Sequence, residues 1–560
     1  MILSKRDFKR ALKIVKGTKD IILKNKVARD MKAKKPWSTI NKVRERKSKL
    51  PVKMNGISGE KEIAECWKDH YSRIMSGEGH PPVERHRVPN HFQIPRVNVK
   101  EVKDAFKKLS LTSAPGLDHI TGEHLKYAHP TLQIHFSFLF TLLFSHSNMP
   151  NILTNIKICN LVKDQQKSLS DMSNYRPIAL ASLVSKLFEC IILQRCEKQL
   201  GTTDNQFAYK SQHSTDMALF LLKQTVEFYR SKRTPIFICS MDLSKAFDRV
   251  CHNTLFKILR KRKVPSYIIN VLENWYATQR FIVKWGNEFS SPFQTKCGIR
   301  QGSVLSALLF AVYVDDLSDK HLNNELGCSM GDNKINHILY ADDLILISPS
   351  VKSLQNQIDT CKEYFVKHHL TVNAEKTKVM VIKPKGYMDF GIPELCIDGE
   401  RLEVVQNIKY LGMHINSELK DDEHITSLYR GQCMRGNLLL RNFYMCDVDA
   451  KVHLFKSFCT SLYSIPLSLA CKKESFNKLR VCYNNSLRFF MNIDRFSSIT
   501  EQFVILGVPS FNELLRKTIA SLYLRLKRTR NKLLVAVFSS TYFRNSPMFL
   551  KWSSHIFTET

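Results

Sequence analysis

The sequence predicts a mixed α/β (α+β) fold, with a central sheet that carries acidic residues, helix-rich flanks and a helical C-terminal module. Three patterns support this prediction. At residues 337–348, isoleucine-rich runs on both sides of an acidic pair indicate a buried β-hairpin with Ala341 and Asp342 at its tip. A second apolar strand, residues 236–241, leads directly into Asp242. From about residue 420 to 535, apolar residues recur at helical spacing.

The N-terminal part begins with a lysine-rich stretch of fifty residues whose apolar stripe is weak. Residues 77–91 have the proline, histidine and charge content of a linker. A helix is expected from Val97 to the turn at residues 113–116. Residues 130–200 show mostly helical spacing, interrupted by a polar loop at 164–174.

The segment after the hairpin alternates between helix and strand signals. Apolar residues three and four apart predict an amphipathic helix over residues 354–365. A strand is expected at 378–382, and β signal recurs near Cys396 and Tyr410. The order of elements therefore places several strands around the acidic hairpin.

The charge balance indicates a polyanionic partner. The chain has 85 Lys and Arg against 51 Asp and Glu, a net charge of +34 in 560 residues. Residues 1–50 alone hold 18 basic and 4 acidic side chains. Counterion release would supply much of the affinity for a nucleic acid. An acidic membrane surface is the alternative, but no basic amphipathic segment carries a lipid-facing stripe.

Cysteine usage indicates a reducing environment. The fifteen cysteines are scattered singly without a CxxC pair, which excludes zinc-ribbon and zinc-knuckle spacings. The longest apolar run, around residues 136–144, is too short to cross a membrane. We therefore expect an intracellular protein of the nucleus, the cytoplasm or both, neither secreted nor membrane-embedded.

Three carboxylates are placed to bind cations. Adjacent carboxylates beside buried strands are costly unless a cation offsets their charge. Asp242, Asp342 and Asp343 could together hold two hard ions, the arrangement used for in-line displacement at phosphorus. For the acidic pair alone, a solvated turn is the simpler interpretation.

The rest of the chain carries a family resemblance that removes that simpler interpretation. The YADD sequence at residues 340–343 resembles the YxDD box of reverse transcriptases, and residues 241–248 (MDLSKAFD) resemble their first catalytic motif. Within this superfamily the chain is most similar to non-LTR (LINE-type) retrotransposons of the Jockey and chicken-repeat sort. Supporting segments occur in the family's order: 113–118 (SAPGLD), 174–180 (NYRPIAL), 206–210 (QFAYK), 298–306 (GIRQGSVLS), 370–377 (LTVNAEKT) and 410–412 (YLG).

The resemblance implies a right-hand polymerase with a palm sheet, helical fingers and a helical thumb. It divides the chain into four parts: a basic extension and linker at 1–90, the fingers and the start of the palm at 91–240, the palm with its motifs and primer grip at 241–420, and the thumb or C-terminal module at 421–560. The reverse transcriptase domain itself would span about 143–416.

The implied activity is RNA-directed DNA synthesis. Asp242 and Asp342 would be shared ligands of two Mg²⁺ ions, for which Mn²⁺ can substitute, and Asp343 would be the third carboxylate. The implied partners are template RNA, a DNA primer or target DNA, and dNTPs. No membrane partner is expected, and the oligomeric state is left open.

The family's nucleotide site would include the turn at Gln301 and Gly302 and a bulky residue beneath the incoming sugar, here Phe247. An aromatic ring there would clash with a ribose 2′-OH and select deoxynucleotides, which also disfavours an RNA-templated RNA polymerase. A core phenylalanine is the alternative for Phe247, and a plain turn is the alternative for the Gln-Gly pair.

Cations complete the implied site. Lys163 and Arg176 bracket the loop that would close on the triphosphate, and Lys376 lies where a general acid could protonate pyrophosphate. Solvated surface positions remain open for both lysines. The family's primer grip would be Tyr410, Leu411 and Gly412, where glycine permits a tight bend.

Two departures from the family pattern stand out. Ala208 replaces the usual glycine, and would add strain of about 1 kcal/mol if that position needs φ > 0. No metal-binding set of acidic and histidine residues precedes residue 90, so we expect the family's N-terminal endonuclease to be absent. We also expect the C-terminal Cys/His knuckle, which some members of the family carry, to be absent. The alternative to an active polymerase is an inactive nucleic-acid-binding remnant or host-adopted copy, although all three aspartates are retained.

Overall fold

A computed structural model describes residues 50–81, 94–110, 112–323, 327–384, 386 and 394–556. Most of the basic stretch at 1–50 and most of the predicted linker at 77–91 therefore lie outside the described residues. The same holds for residues 324–326 and for most of 385–393.

Seventeen short strands lie within the described ranges. They are β1 (Lys53–Met54), β2 (Ile57–Ser58), β3 (Asn155–Val162), β4 (Tyr175–Leu180), β5 (Ile236–Met241), β6 (Arg280–Trp285), β7 (Glu288–Phe289), β8 (Ser329–Met330), β9 (Asn333–Lys334), β10 (His337–Tyr340), β11 (Asp343–Ser348), β12 (Lys378–Ile382), β13 (Cys396–Ile397), β14 (Glu400–Arg401), β15 (Glu403–Val404), β16 (Asn407–Tyr410) and β17 (Met413–Asn416).

Helices occupy most of the remaining described chain. They are α1 (Glu60–Ile74), α2 (Val99–Lys108), α3 (Gly122–Lys126), α4 (Thr131–His146), α5 (Asn151–Thr154), α6 (Leu183–Arg195), α7 (Thr215–Ser231), α8 (His252–Lys261), α9 (Ser266–Thr278), α10 (Val304–Asn323), α11 (Val351–Lys367), α12 (Asp422–Phe443), α13 (Val448–Cys459), α14 (Lys473–Met491), α15 (Ile499–Ile505), α16 (Phe511–Arg528), α17 (Lys532–Ser539), α18 (Thr541–Arg544) and α19 (Pro547–Ile556). Short 3₁₀ turns occur at Met172–Asn174, Ala246–Arg249 and Ile465–Leu467.

The central sheet has five strands in the order β10-β11-β5-β12-β15. Strand β5 runs antiparallel to both of its neighbours, β11 and β12. Successive residues of a strand face opposite sides of a sheet, and here both sides are buried. One face contributes Cys239 and Leu346 to the first core, and the other contributes Ile238 and Ile345 to the second core.

The two cores differ in what covers the sheet. The first core joins one face to helices of the N-terminal half and to α10 and α11. The second joins the opposite face to α7 and to the helices after residue 421. A buried ion pair strengthens the second contact: Lys223 Nζ donates to Asp421 Oδ1 at 2.7 Å and to the Leu467 carbonyl at 2.6 Å. The C-terminal helices thus share their core with the central sheet.

A second sheet, in the order β4-β3-β6-β7, contradicts part of the helical prediction. Residues 155–162 and 175–180 were expected to be mostly helical, but they form the antiparallel pair β3–β4 around the predicted polar loop. Their partner β6 is more than a hundred residues away, so local spacing does not reveal the pairing. Helix α1 covers this sheet through the fully buried Trp67, so part of the predicted extension packs on this second sheet.

The other sequence predictions of secondary structure are confirmed. The acidic hairpin, the strand before Asp242, the helix over 354–365 and the strand at 378–382 all occur. The fifteen cysteines are all free thiols. None of the helices among the described residues combines the length and apolar composition that crossing a bilayer requires.

Candidate active site

The acidic pair lies at a strained hairpin tip. Tyr340 pairs with Asp343 across the β10–β11 ladder, which leaves Ala341 and Asp342 as the two-residue turn. Ala341 has φ 58°, a left-handed conformation that costs a non-glycine residue about 1 kcal/mol or more. The buried Gln206 offsets this cost, because its Oε1 accepts hydrogen bonds from the Ala341 N–H at 3.1 Å and the Ala208 N–H at 3.0 Å.

The third carboxylate lies beside this tip. Leu344 pairs with Met241 in the β11–β5 ladder, so the next step along both strands brings Asp343 alongside Asp242. The loop before β12 fixes the backbone of Asp242: its carbonyl accepts from the Asn373 N–H at 2.8 Å, and its N–H donates to Thr377 Oγ1 at 3.3 Å. The three predicted aspartates are therefore brought together by neighbouring strands.

The electrostatics of these carboxylates show that they crowd one another. Burial, followed by the charges of Asp342 and Asp242, raises the pKa of Asp343 to about 6, and the charge of Arg176 limits the shift. Burial, followed by the charge of Asp242, also raises the pKa of Asp342, and Arg176 again opposes the shift. Three like charges held this close favour a bound cation.

A group of cations faces the carboxylates. Lys376 Nζ lies 3.7 Å from Asp242 Oδ2. Burial lowers the pKa of Lys163, and the charges of Arg176, Lys376 and Lys245 lower it further, so these cations lie close together. Lys163 Nζ also donates to the Ser173 carbonyl at 2.7 Å, across the polar loop. An anion bound here would relieve this repulsion.

The donor set fits Mg²⁺ only when a substrate completes it. The three side chains offer hard carboxylate oxygens, as Mg²⁺ requires. Among the described residues, no group of three or more acidic, histidine or cysteine side chains is close enough to hold a metal ion by itself. Mg²⁺ is usually bound by one or two carboxylates together with substrate phosphates and water, so an open set of this kind suits a site shared with a nucleotide.

Phe247 lies just after β5 and is half-buried. Its ring stacks on Phe310, with centroids 4.4 Å apart and an interplanar angle of 17°. One part of the side chain thus packs on α10 and the first core, as the alternative interpretation requires, and the remainder is exposed. Its role in sugar selection stays a prediction.

The Gln-Gly turn packs against β4. The Gln301 carbonyl accepts from the Ala179 N–H at 2.7 Å, and Gly302 has φ 112°. A Cβ at Gly302 would lie 3.0 Å from the Ala179 carbonyl oxygen, so this close approach favours glycine. The Gln301 side chain donates from Nε2 to Asp248 Oδ1 at 3.1 Å.

The predicted primer grip is a tight hairpin turn between β16 and β17. Leu411 has φ 45° and Gly412 has φ 81°, and a Cβ at Gly412 would meet the ring of Tyr463 at 3.3 Å. Tyr410 is buried, and its hydroxyl has no hydrogen-bond partner among the described residues. Burial, together with the charge of Asp343, raises the pKa of Tyr410, which places its hydroxyl near the acidic cluster.

Several residues that shape the site were not singled out from sequence. Gln206 supports the turn, and Asn373 and Thr377 fix the backbone at Asp242. Each belongs to a segment that the sequence marked, but a pattern in one segment does not show which distant segment it contacts. The prediction that Ala208 could be strained by a positive φ is wrong. The residue of this segment with a positive φ, 58°, is its neighbour Tyr209.

Comparisons with known proteins agree with this geometry. Residues 162–415 match the family model described as reverse transcriptase (RNA-dependent DNA polymerase). Over 452 residues the chain is 25% identical to the RNA-directed DNA polymerase from mobile element jockey of Drosophila funebris, covering 78% of this chain and 48% of that protein. Over 470 residues it is 25% identical to the probable RNA-directed DNA polymerase from transposon BS of Drosophila melanogaster, covering 78% and 51%. The chain thus spans about half the length of these curated relatives.

One solved structure shows a looser likeness. The structure of apo telomerase from Candida tropicalis aligns with 73% of this chain and covers 74% of the telomerase chain, at 12% sequence identity. Its TM-score of 0.38 is too low to support an argument about the fold.

All the predicted site residues fall within the matched span. Residues 162–415 thus match the reverse transcriptase family model, and the fold is that of a right-hand polymerase with mixed sheets and many helices. The predicted resemblance to polymerases of non-LTR retrotransposons is confirmed, because the relatives are RNA-directed DNA polymerases of mobile elements such as jockey.

Proposed function

We propose that this chain is the RNA-directed DNA polymerase of a non-LTR retrotransposon, which extends a DNA primer on an RNA template with dNTPs. The observation that carries the proposal is the closeness of opposite charges at one site. Asp242 raises the pKa of Asp342, and both raise the pKa of Asp343, while Arg176 and Lys376 lie close to these carboxylates. In a complex of divalent metal ions and a triphosphate, the metal ions would neutralise the aspartates and the triphosphate would neutralise the arginine and lysines.

The reaction joins the primer 3′-oxygen to the α-phosphorus as the bond to pyrophosphate breaks. Two divalent ions, Mg²⁺ or in its place Mn²⁺, would be held by the three aspartates and would activate the 3′-hydroxyl and neutralise the leaving group. Arg176 and Lys163 bind the triphosphate in this proposal. Lys376, whose Nζ lies 3.7 Å from Asp242 Oδ2, would give a proton to the departing pyrophosphate.

The remaining residues position the substrates. Phe247 excludes the ribose 2′-OH, and the Gln301-Gly302 turn supports the nucleotide from the side of β4. The hairpin of Tyr410, Leu411 and Gly412 holds the primer end near Asp343. Template RNA and primer or target DNA are held largely through their phosphates by the excess of Lys and Arg.

Primer extension tests the proposal and separates it from the inactive-remnant alternative. The full-length protein should extend a DNA primer on an RNA template when Mg²⁺ and dNTPs are supplied. Asp342→Ala should lower the rate by several orders of magnitude, because a substituted ligand leaves the ions under-coordinated. The matched control is Asp332→Ala, an exposed aspartate in the turn between β8 and β9, which should retain the wild-type rate.

Two outcomes would contradict the proposal. A wild-type protein that binds RNA without extending the primer would be the inactive remnant. An Asp342→Ala rate within a few-fold of wild type would show that the assignment of the metal ligands is wrong.

A further inference from the structure

Asp248 is a buried carboxylate beneath the proposed nucleotide site. Only 5% of the residue is exposed, and it directly follows Phe247. Its Oδ1 accepts the hydrogen bond from Gln301 Nε2 at 3.1 Å. The role proposed above for the three metal-binding aspartates does not use this fourth carboxylate.

The segments that carry Phe247 and Gln301 are also joined by their backbones. The Ile299 N–H donates to the Phe247 carbonyl at 2.9 Å, and the Gly298 N–H donates to the Val250 carbonyl at 2.8 Å. A Cβ at Gly298 would lie 2.8 Å from the Asp248 carbonyl oxygen, so the two segments are in close contact. The backbone contact fixes where the Gln301 amide lies but leaves its rotation to the side-chain bond.

The chemistry of the pair determines that rotation. An ionised carboxylate only accepts hydrogen bonds, whereas an amide has a donating and an accepting end. Asp248 therefore requires the NH₂ end of Gln301 to face it, and the oxygen end is then directed elsewhere. Gln301 Oε1 accepts no hydrogen bond from the described residues, so this oxygen is left for a ligand.

We propose that Asp248 is a positioning residue of the nucleotide site, an inference that rests on the proposed function. Asp248 fixes the side-chain amide of Gln301 so that the amide oxygen faces the incoming dNTP. Burial raises the pKa of Asp248 to about 6, and the Gln301 bond and the charges of Lys245 and Lys163 act against the shift. The Gln301 bond and the two lysine charges favour the ionised carboxylate, which its role as an acceptor requires.

A double-mutant cycle on the full-length protein tests this role. Asp248→Asn keeps the shape of the side chain but offers both a donor and an acceptor, so the Gln301 amide is free to turn over. Gln301→Met removes the amide at similar volume. The KM for dTTP is measured by primer extension on an RNA template, with the thermal unfolding midpoint as the test of folding.

We expect each single variant to raise the KM for dTTP about tenfold, with a smaller effect on kcat. In the double variant, Asp248→Asn should add less than about twofold to Gln301→Met, because Asp248 acts through an amide that is no longer there. Asp248→Ala, which removes the acceptor without adding a donor, should show the same lack of additivity. Asp332→Asn, at an exposed turn, is the matched control and should leave the KM unchanged.

Additive effects, near a hundredfold in the double variant, would overturn the positioning role, as would an Asp248→Asn KM within twofold of wild type. A role confined to folding would lower the unfolding midpoint and kcat without this dependence on Gln301. If the wild-type protein extends no primer, the proposed function and this inference are both overturned; extension with additive effects overturns the inference alone.

Discussion

The crowding of the three aspartates predicts that the metal-free protein is destabilised at its own candidate active site. The pKa of Asp343 is raised from 3.8 to about 6 by burial and by the charges of Asp342 and Asp242. An acid whose pKa is raised on folding binds its proton more tightly in the folded state. Its contribution to stability therefore declines as pH rises from about 4 to about 6, and the full penalty applies at neutral pH.

The size of the penalty follows from the shift. About two pKa units correspond to roughly 3 kcal/mol at 1.36 kcal/mol per unit. Because Asp343 is partly exposed at the hairpin tip, solvent screening reduces this to roughly 1 kcal/mol. Asp343→Asn should therefore raise the free energy of unfolding of the metal-free protein by roughly 1 kcal/mol at pH 7.5, and by about half as much at pH 5.

The assay is urea denaturation of the wild type and Asp343→Asn in the presence of a chelator at the two pH values, repeated at pH 7.5 with Mg²⁺ and dTTP. Binding of Mg²⁺ and dTTP should stabilise the wild type more than the variant, because Asp343→Asn has lost a negative charge that the metal would contact. The stability advantage of the variant should therefore shrink or reverse. Asp332→Asn is the control and should show no gain at either pH. The reasoning about carboxylate crowding would be refuted if Asp343→Asn were less stable than wild type without metal. It would also be refuted if the variant gained the same free energy of unfolding at pH 5 and at pH 7.5.

Three further predictions concern selectivity, binding and stability. Phe247→Val should increase ribonucleotide incorporation relative to deoxyribonucleotide; unchanged discrimination would mean that Phe247 only packs on Phe310. Deleting residues 1–50 should flatten the slope of log RNA affinity against log salt by roughly 0.7 for each lost phosphate contact, whereas an unchanged slope would show that these 18 cations do not contact RNA. Lys223→Met should lower the free energy of unfolding by about 3–5 kcal/mol, because it leaves the buried Asp421 charge unpaired; a loss below 1 kcal/mol would show that water reaches Asp421.

Sequence patterns predicted the parts of this molecule that are local. The β10–β11 hairpin followed from two apolar runs around a two-residue turn, and α11 from its helical spacing. Strand β3 was missed because polar residues interrupt both of its faces, Lys157 on one and Asn160 on the other, and because its partner β6 is distant in sequence. In such a strand, the pairing with other strands stabilises the β conformation more than local preference does.

The same limit applies to the candidate site. The three aspartates stand in recognisable motifs, so their convergence could be expected. The bond from Gln301 to Asp248 joins residues 53 positions apart, and the bond from Ala341 to Gln206 joins residues 135 apart. Both segments of each pair belong to motifs that the sequence shows. Which atoms form the hydrogen bond, however, depends on packing between segments that are distant in sequence.

The shared second core has a consequence for shortened copies of this protein. The matched span ends at residue 415, yet one face of the central sheet, with Ile238, Ile345 and Met380, belongs to the same core as Ile519 and Trp552 far beyond it. Loss of the last quarter of the chain, after residue 415, would therefore expose an apolar sheet face to water, and such a product should aggregate or be degraded rather than persist as a stable shorter protein. Selection for a stable fold thus acts on residues more than two hundred positions after Asp342, such as Trp552.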